Sequence, residues 1–203
     1  RVRPEFLFPV NYLTTRVNKF SHGDWDKAFK ILKYLNTESD LGLTLRIGSD
    51  PTVHVFADAS FGTHSDRKSH SGSLVKFGDA TVSAQSSKQK LVTKSVTEAE
   101  LVCASDQCSR GFWVRDFLSD QGFKCGPVIL HQDNKSTISM LSNNKPVSHK
   151  SRHIDVKYFY LRERIEMKEV ALIHTATGDM IADILTKSLH GKLFLKLRQS
   201  LLN

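Results

Sequence analysis

The chain has 203 residues, of which 39% are hydrophobic and 25% charged, with a formal net charge of +8. These values fit a globular protein of one ordinary domain with a short extra segment. They exclude a transmembrane helix, since no apolar run reaches about 18 residues, and the basic excess points to a polyanionic partner, nucleic acid ahead of a membrane surface. The opening "RVRPEFLFPV" shows neither an initiator Met nor a signal peptide, so a fragment or processed product is expected. Cys103, Cys108 and Cys125 form no C-x-x-C pair. Cys103 and Cys108 share one helical pattern, which predicts buried thiols and suits a reducing compartment.

In chain order, "GDWDKAFKILKYLNT" places Trp25, Phe29, Leu32 and Leu35 at helical spacing and predicts a helix over 24–36. "SDLGLTLRIGSD" reads as a short strand between turns. One helix and one strand close no core, so residues 1–50 read as an appendage. "TVHVFADAS" is a strand, and "SHSGSLVKFGDATVSAQSSKQ" a hairpin of Ser73–Phe77 and Thr81–Gln85 around Gly78-Asp79. "TEAELVCASDQCSRGFWVRDFLSDQG" is a long helix with Leu101, Ala104, Cys108 and Phe112 on one face, Thr97 as N-cap, Glu100 completing a capping box, and Gly122 as stop. Then follow a strand in "GPVILHQD", a helix in "NKSTISMLSNN", a helix in "HIDVKYFYLRERIEMKE" and a strand in "EVALIHTA". "DMIADILTKSLHGKLFLKLRQSLL" is a helical tail broken at Gly191. The order β-β-β-α-β-α-α-β-α indicates an α/β layer protein, a hairpin-led sheet extended by parallel strands.

Four acids fall at the ends of elements. Asp58 ends the first strand, Asp133 ends "VILHQD", Glu100 lies in the first turn of the long helix and Asp183 in the first turns of the tail. In parallel sheets, ligands collect at the carboxyl ends of strands. Clustered carboxylates would take up protons unless a cation neutralised them. All-oxygen donors suit Mg²⁺ or Mn²⁺ and not zinc. Two such ions about 3.5–4 Å apart would make a phosphodiester-cleaving centre. Each acid also has a plain reading: turn former, cap, or partner of its own helix dipole.

The stretches around these acids resemble a known family. "FADAS", "SVTEAELVCASD", "LHQDNKSTISML" and "HTATGDMIADILTK" are similar to the four acidic motifs of the ribonuclease H domain of copia-type long terminal repeat retrotransposon reverse transcriptases. "DRKSHSGSLVKFGDATVSAQSSKQ" and "SRHIDVKYFYLRE" resemble two further motifs, in order, over residues 52–200. "VNYLTTRVNKFSHGDWDKAFKILKYLNTESDLGLTL" resembles the end of the reverse transcriptase connection that precedes this domain. The resemblance therefore divides the chain into 1–50, connection, and 51–203, ribonuclease H.

The resemblance implies a ribonuclease H-like fold: a mixed five-stranded sheet, part antiparallel meander and part parallel, flanked by helices. It implies a metal-dependent endonuclease that cuts the RNA strand of RNA–DNA hybrids during reverse transcription, by in-line water attack with two Mg²⁺ (or Mn²⁺). Asp58 and Asp183 would hold the nucleophile-side ion; Asp58, Glu100 and Asp133 the leaving-group ion. Glu98 competes with Glu100 for the helix position, and the two point about 200° apart around the helix.

Ser60, Arg67, Lys68, Ser71, Lys88 and Asn134 are candidate contacts to a hybrid that is read by backbone shape and 2′-hydroxyls. Implied partners are the hybrid, the upstream polymerase, and a dimer or larger assembly through that polymerase, with no membrane. The implied location is a cytoplasmic retroelement particle, or the nucleus. His174 lies in a predicted strand and reads as a packing or hydrogen-bonding residue; Arg152 and His153 fall in a motif of unclear role. Two alternatives stand beside this reading. One is a domesticated, non-catalytic nucleic-acid-binding or structural subunit. The other is an integrase-like D-D-E nuclease using Asp133 and Glu169, which have 35 residues between them.

Overall fold

Val53, Val55 and Ala57 are fully desolvated on one face of strand β1 (Val53–Ser60), which sits at the centre of a five-stranded sheet. The computed structural model describes residues 3–46, 48, 51–142 and 152–202. β2 (His70–Phe77) pairs antiparallel with β1, and β3 (Ala80–Lys88) antiparallel with β2 across the two-residue Gly78-Asp79 turn. β4 (Val128–Gln132) and β5 (Val170–His174) add in parallel, giving the order β3-β2-β1-β4-β5. This is the mixed sheet of a ribonuclease H-like α/β fold, as the sequence predicts.

Helix α3 (Val96–Asp120) covers one face with α4 (Lys135–Ser142) and α5 (Arg152–Glu166). Leu101, Leu130 and Leu161 are fully buried there, and burying a side chain of this size stabilises by about 2 kcal/mol. Cys103 and Cys108 are buried free thiols. The cap of α3 differs from expectation. Ser95 is the N-cap, its hydroxyl accepting from Glu98 N at 3.1 Å, while Glu98 Oε2 accepts from Lys94 N at 2.7 Å. Thr97 is therefore already inside the helix, and Glu100 lies a turn further in, away from any capping role.

The other face is covered by the 3-10 segment Ile181–Leu185, by α6 (Gly191–Leu202) and by the N-terminal part of the chain. The tail expected to break at Gly191 is two pieces, tight 3-10 turns that carry Asp183 and then a helix beginning at Gly191, with the interruption at residues 186–190 just before it. Within the segment read as an appendage, the opening residues, with no element predicted, form α1 (Leu7–Thr14), which packs on β3. α2 (His22–Thr37) is longer than predicted and is capped by a Ser21–Asp24 box. Its apolar stripe does not face inward, since Trp25, Phe29 and Leu32 are at least half exposed. Residues 41–46 form no strand; Ile47, Ser49 and Asp50 lie outside the described residues. The segment is nevertheless tied to the C-terminus: Thr44 N donates to Leu202 O at 2.7 Å and Arg198 Nη1 to Tyr34 Oη at 2.6 Å.

Candidate functional site

β1 runs beside β4 only from His54 to Phe56, then the two diverge. Asp58 projects just past that divergence, still paired with Gly72 of β2, so it lies inside its strand and not at the tip. Asp133 follows the last residue of β4. Glu100 reaches the same place from α3. Oxygens of Asp58, Glu100 and Asp133 lie within 4.8 Å of one another. Parting parallel strands thus open a crevice floored by carboxylates, the position where α/β sheets bind ligands.

Two glycines make this convergence sterically possible. A Cβ on Gly72 would lie 2.5 Å from Thr186 Cγ2 and 2.8 Å from Leu185 Cβ, so only glycine lets the Asp183 segment rest on β2. A Cβ on Gly111 would lie 2.5 Å from Val55 Cγ2; its absence brings α3, and with it Glu100, down onto β1.

Asp183 joins the cluster through a cation. Lys187 Nζ stands 2.8 Å from Asp183 Oδ1 and 3.2 Å from Asp58 Oδ1. The Thr186 hydroxyl donates to the other Asp58 oxygen. Thr177 Oγ1 donates to Asp133 Oδ2 at 3.2 Å, and Gln132 Nε2 to Glu100 Oε2 at 3.4 Å.

Asp58, Glu100 and Asp183 are almost wholly buried and Asp133 is half-buried. Burial first, and the Asp58 charge second, push the carboxyls of Glu100, Asp133 and Asp183 above their ordinary range. Lys187 is held above its usual value by Asp58 and Asp183, against the opposing effect of burial. Four carboxyl groups with one ammonium among them, in a low-dielectric pocket, must either hold protons or take up a cation, the electrostatic condition for binding divalent ions in exchange for protons.

A hydrogen-bond chain fixes the Asp183 segment from behind. His64 Nε2 lies 3.0 Å from His70 Nδ1, His70 Nε2 2.7 Å from Ser86 Oγ, and Ser86 Oγ donates to Leu185 O at 2.7 Å. One direction satisfies every atom with both rings neutral, His64 donating to His70 and His70 to Ser86. Burial, the largest cause, lowers both imidazoles, His70 to about 4. Phe8 packs edge-on against His70 and Tyr12 stacks on His64, which couples α1 to the acid-bearing segment.

No protein-family model matches the chain. It is 30% identical over 190 residues to the "Retrovirus-related Pol polyprotein from transposon RE2" of Arabidopsis thaliana, covering 92% of this chain and 13% of that one. It is 31% identical over 186 residues to the "Retrovirus-related Pol polyprotein from transposon TNT 1-94" of Nicotiana tabacum, covering 91% and 14%. The N-terminal RNase H domain of rv2228c from Mycobacterium tuberculosis, solved as a fusion with maltose-binding protein, superposes with a TM-score of 0.51 at 13% identity, covering 74% of this chain and 99% of that one. The chain is homologous to copia-type retrotransposon Pol polyproteins and has the ribonuclease H fold. It spans about 13% of the length of the first of these relatives.

Within the ribonuclease H fold, the remaining sequence-selected residues separate clearly. Glu98 faces the helix start and Glu100 the crevice, so the geometry favours Glu100. Glu169 immediately precedes β5, whereas Asp133 follows β4; the parallel register sets them at opposite ends of the sheet, about 17 Å of strand apart. Glu169 pairs instead with Arg164 at 2.9 Å. His174, at the end of β5 opposite Gln132, is exposed rather than packed.

Ser60 and Arg67 border the turn after β1, with Arg67 exposed and in the left-handed region at φ 61°. Lys88 pairs with Asp66 at 2.8 Å, and Lys68 with the same group at 3.8 Å. Ser71 is buried and accepts from Gln89 Nε2 at 2.9 Å. Asn134 Oδ1 accepts from Thr137 N at 3.0 Å at the start of α4. Ser71 and Asn134 thus hold local structure. The side chains of Arg152 and His153 lie outside the described residues.

Lys187 and Thr186 were missed by sequence reasoning. Their signal was present in "ADILTK", where Lys187 follows Asp183 by four residues. A groove of about 510 Å³ beside the centre, lined by Lys88, Lys90, Arg110 and Lys157 among others, was also missed, because its bases come from three separate elements. Among the described residues no helix is long and apolar enough to cross a membrane.

Proposed function

We propose that this chain is the ribonuclease H part of a retrotransposon Pol polyprotein, and that it hydrolyses the RNA strand of RNA–DNA hybrids. The observation that carries the reading is the convergence of Asp58, Glu100 and Asp133 with Asp183 alongside, three of them almost wholly buried and with one lysine among the four. This donor set fits hard divalent ions: all ligating atoms are oxygens, and among the described residues no thiol or imidazole stands within the group. Asp58, Glu100 and Asp133 would hold one Mg²⁺, and Asp58 with Asp183 the other; Mn²⁺ would substitute. Ions bound there supply an activated water and stabilise the leaving oxygen.

The chain's own groups do the rest. Thr186 fixes the rotamer of Asp58, Gln132 that of Glu100 and Thr177 that of Asp133, so the carboxylates are oriented before any ligand arrives. The groove lined by Lys88, Lys90, Arg110 and Lys157, with Asp106 offsetting Lys157, would offer a net positive wall to a phosphate backbone. Residues 1–50 serve as the tail of the connection to an upstream polymerase, a reading supported by the relatives' greater length and by the packing of α1 beside the His64–His70 pair.

The test is cleavage of a labelled RNA–DNA hybrid by the full chain in Mg²⁺ or Mn²⁺, with single-stranded RNA and duplex DNA as controls. Hybrid-specific, metal-dependent cutting of the RNA strand is the expected result. Binding without cutting, also when the chain is linked to its polymerase, would transfer the assignment to a non-catalytic subunit.

A further inference from the structure

The Lys187 ammonium stands between Asp58 Oδ1 and Asp183 Oδ1, at 3.2 and 2.8 Å, and these are the carboxylates assigned above to the nucleophile-side ion. A Mg²⁺ shared by two carboxylates takes their oxygens at about 2.0–2.1 Å. It would therefore claim the same gap, and two cations do not share it. The surroundings are asymmetric: both carboxylates are at most 3% exposed, whereas the Lys187 side chain is 37% exposed. The acids are fixed, Asp58 by the Thr186 hydroxyl and the Asp183 segment by the bond from Ser86 to Leu185 O, while the lysine stem has an open path to solvent. The lysine is the part free to move.

Resting on the metal-centre reading, we propose that Lys187 is a resident counter-cation that must be displaced before the ion shared by Asp58 and Asp183 can bind. Ion entry there is an exchange of one cation for another. The ammonium keeps two buried carboxylates from repelling each other, then swings outward to the mouth of the crevice, the side from which a phosphodiester backbone would approach. The exchange has a cost, so the lysine sets the affinity of this position below what the carboxylates alone would give.

Two measurements on the full 203-residue chain test this. The first is the rate of acetylation of the Lys187 amine, read by peptide mass spectrometry with and without Mg²⁺; Lys196, exposed and paired with Asp179 at 2.5 Å, is the internal reference. Lys187 should react slowly without Mg²⁺ and several-fold faster with it, Lys196 equally in both. The second is Mg²⁺ titration by calorimetry. Lys187→Met should bind about tenfold more tightly, the order of one partly screened charge contact, whereas Lys187→Arg should not. Mg²⁺ that binds without changing Lys187 reactivity, or a Lys187→Met chain that binds it no more tightly, overturns the exchange and leaves the metal centre standing. No Mg²⁺ binding by the parent chain overturns the metal centre and the exchange together. Should Lys187→Met fail to fold, the footprint of the unsubstituted chain decides alone.

Discussion

Both ends of the central sheet carry acids, yet only one end is built to do chemistry. At the entry end of β5, Glu169 pairs with Arg164, which also reaches Glu163 at 3.8 Å, in a partly exposed cluster, and the chain there gains an ordinary surface contact. At the opposite end, Asp58, Glu100 and Asp183 are almost wholly buried and Asp133 half-buried, and the one lysine among them contacts only Asp58 and Asp183. A fold under selection for stability alone would not leave like charges desolvated. The excess is the mark of a site whose counter-charge comes from a ligand.

The sharpest way to break this contrast is Asp58→Asn. The change removes the acid that faces both Glu100 and Asp183, so cleavage of the hybrid should fall at least about a thousandfold. The fold should survive, because asparagine keeps an acceptor for Thr186 and one buried charge disappears. Circular dichroism and hybrid cleavage, measured on the same preparation, check both halves. Full activity with Asn at this position would refute the metal reading.

Gly72→Ala comes next. The added methyl would sit 2.5 Å from Thr186 Cγ2 and 2.8 Å from Leu185 Cβ, pushing the Asp183 segment off β2. Overpacking of this kind costs about 1–3 kcal/mol, a fall in Tm of roughly 5 °C for a chain of this size. Activity should fall further than stability predicts, because Asp183 and Thr186 move together. Thermal unfolding compared with cleavage at matched temperature separates the two effects.

Much of this was legible in sequence, and the gaps have identifiable causes. Val53, Val55, Ala57 and the "GD" turn declared β1, β2 and β3 because short apolar runs and turn chemistry are local signals. The identity of the acids came from the words around them, since an acid at a strand end carries no metal signal by itself. What stayed hidden depends on distant pairing. The reach of Lys187 to Asp58 spans 129 positions, and the Ser86 bond to Leu185 O spans 99. α2 deceived in the other direction: Trp25, Phe29 and Leu32 have core-like spacing but face solvent, because periodicity reports a stripe and not what covers it.

The third prediction concerns pH. Glu100 is raised to about 9 and Asp183 to about 6, by burial first and the Asp58 charge second. Their folded values lie above their unfolded ones, so the folded state holds these protons more tightly. Stability from these groups is complete below pH 4 and is lost as pH rises through about 6 and then about 9. The histidines act oppositely. His70, lowered to about 4, removes stability as pH falls from 6.5 toward 4. Without divalent ions Tm should therefore decline as pH rises from about 7 toward 9, and Mg²⁺ should raise Tm more at pH 8.5 than at pH 6, since binding displaces protons. A Mg²⁺ effect independent of pH would contradict the assignment of these carboxylates.

The smallest effect belongs to the other end of the sheet. Glu169→Gln removes one partner of the Arg164 pair, whose side chains are 31% and 35% exposed and therefore well screened. Gln still presents an acceptor to the guanidinium, and the backbone bond from Val128 N to Glu169 O is untouched. Tm should move by no more than about 2 °C, and hybrid cleavage should match the parent chain. That equality separates a structural carboxylate from a functional one within a single sheet. Cleavage lost on Glu169→Gln but kept on Glu100→Gln would instead move the chemistry to the opposite end and restore the D-D-E arrangement.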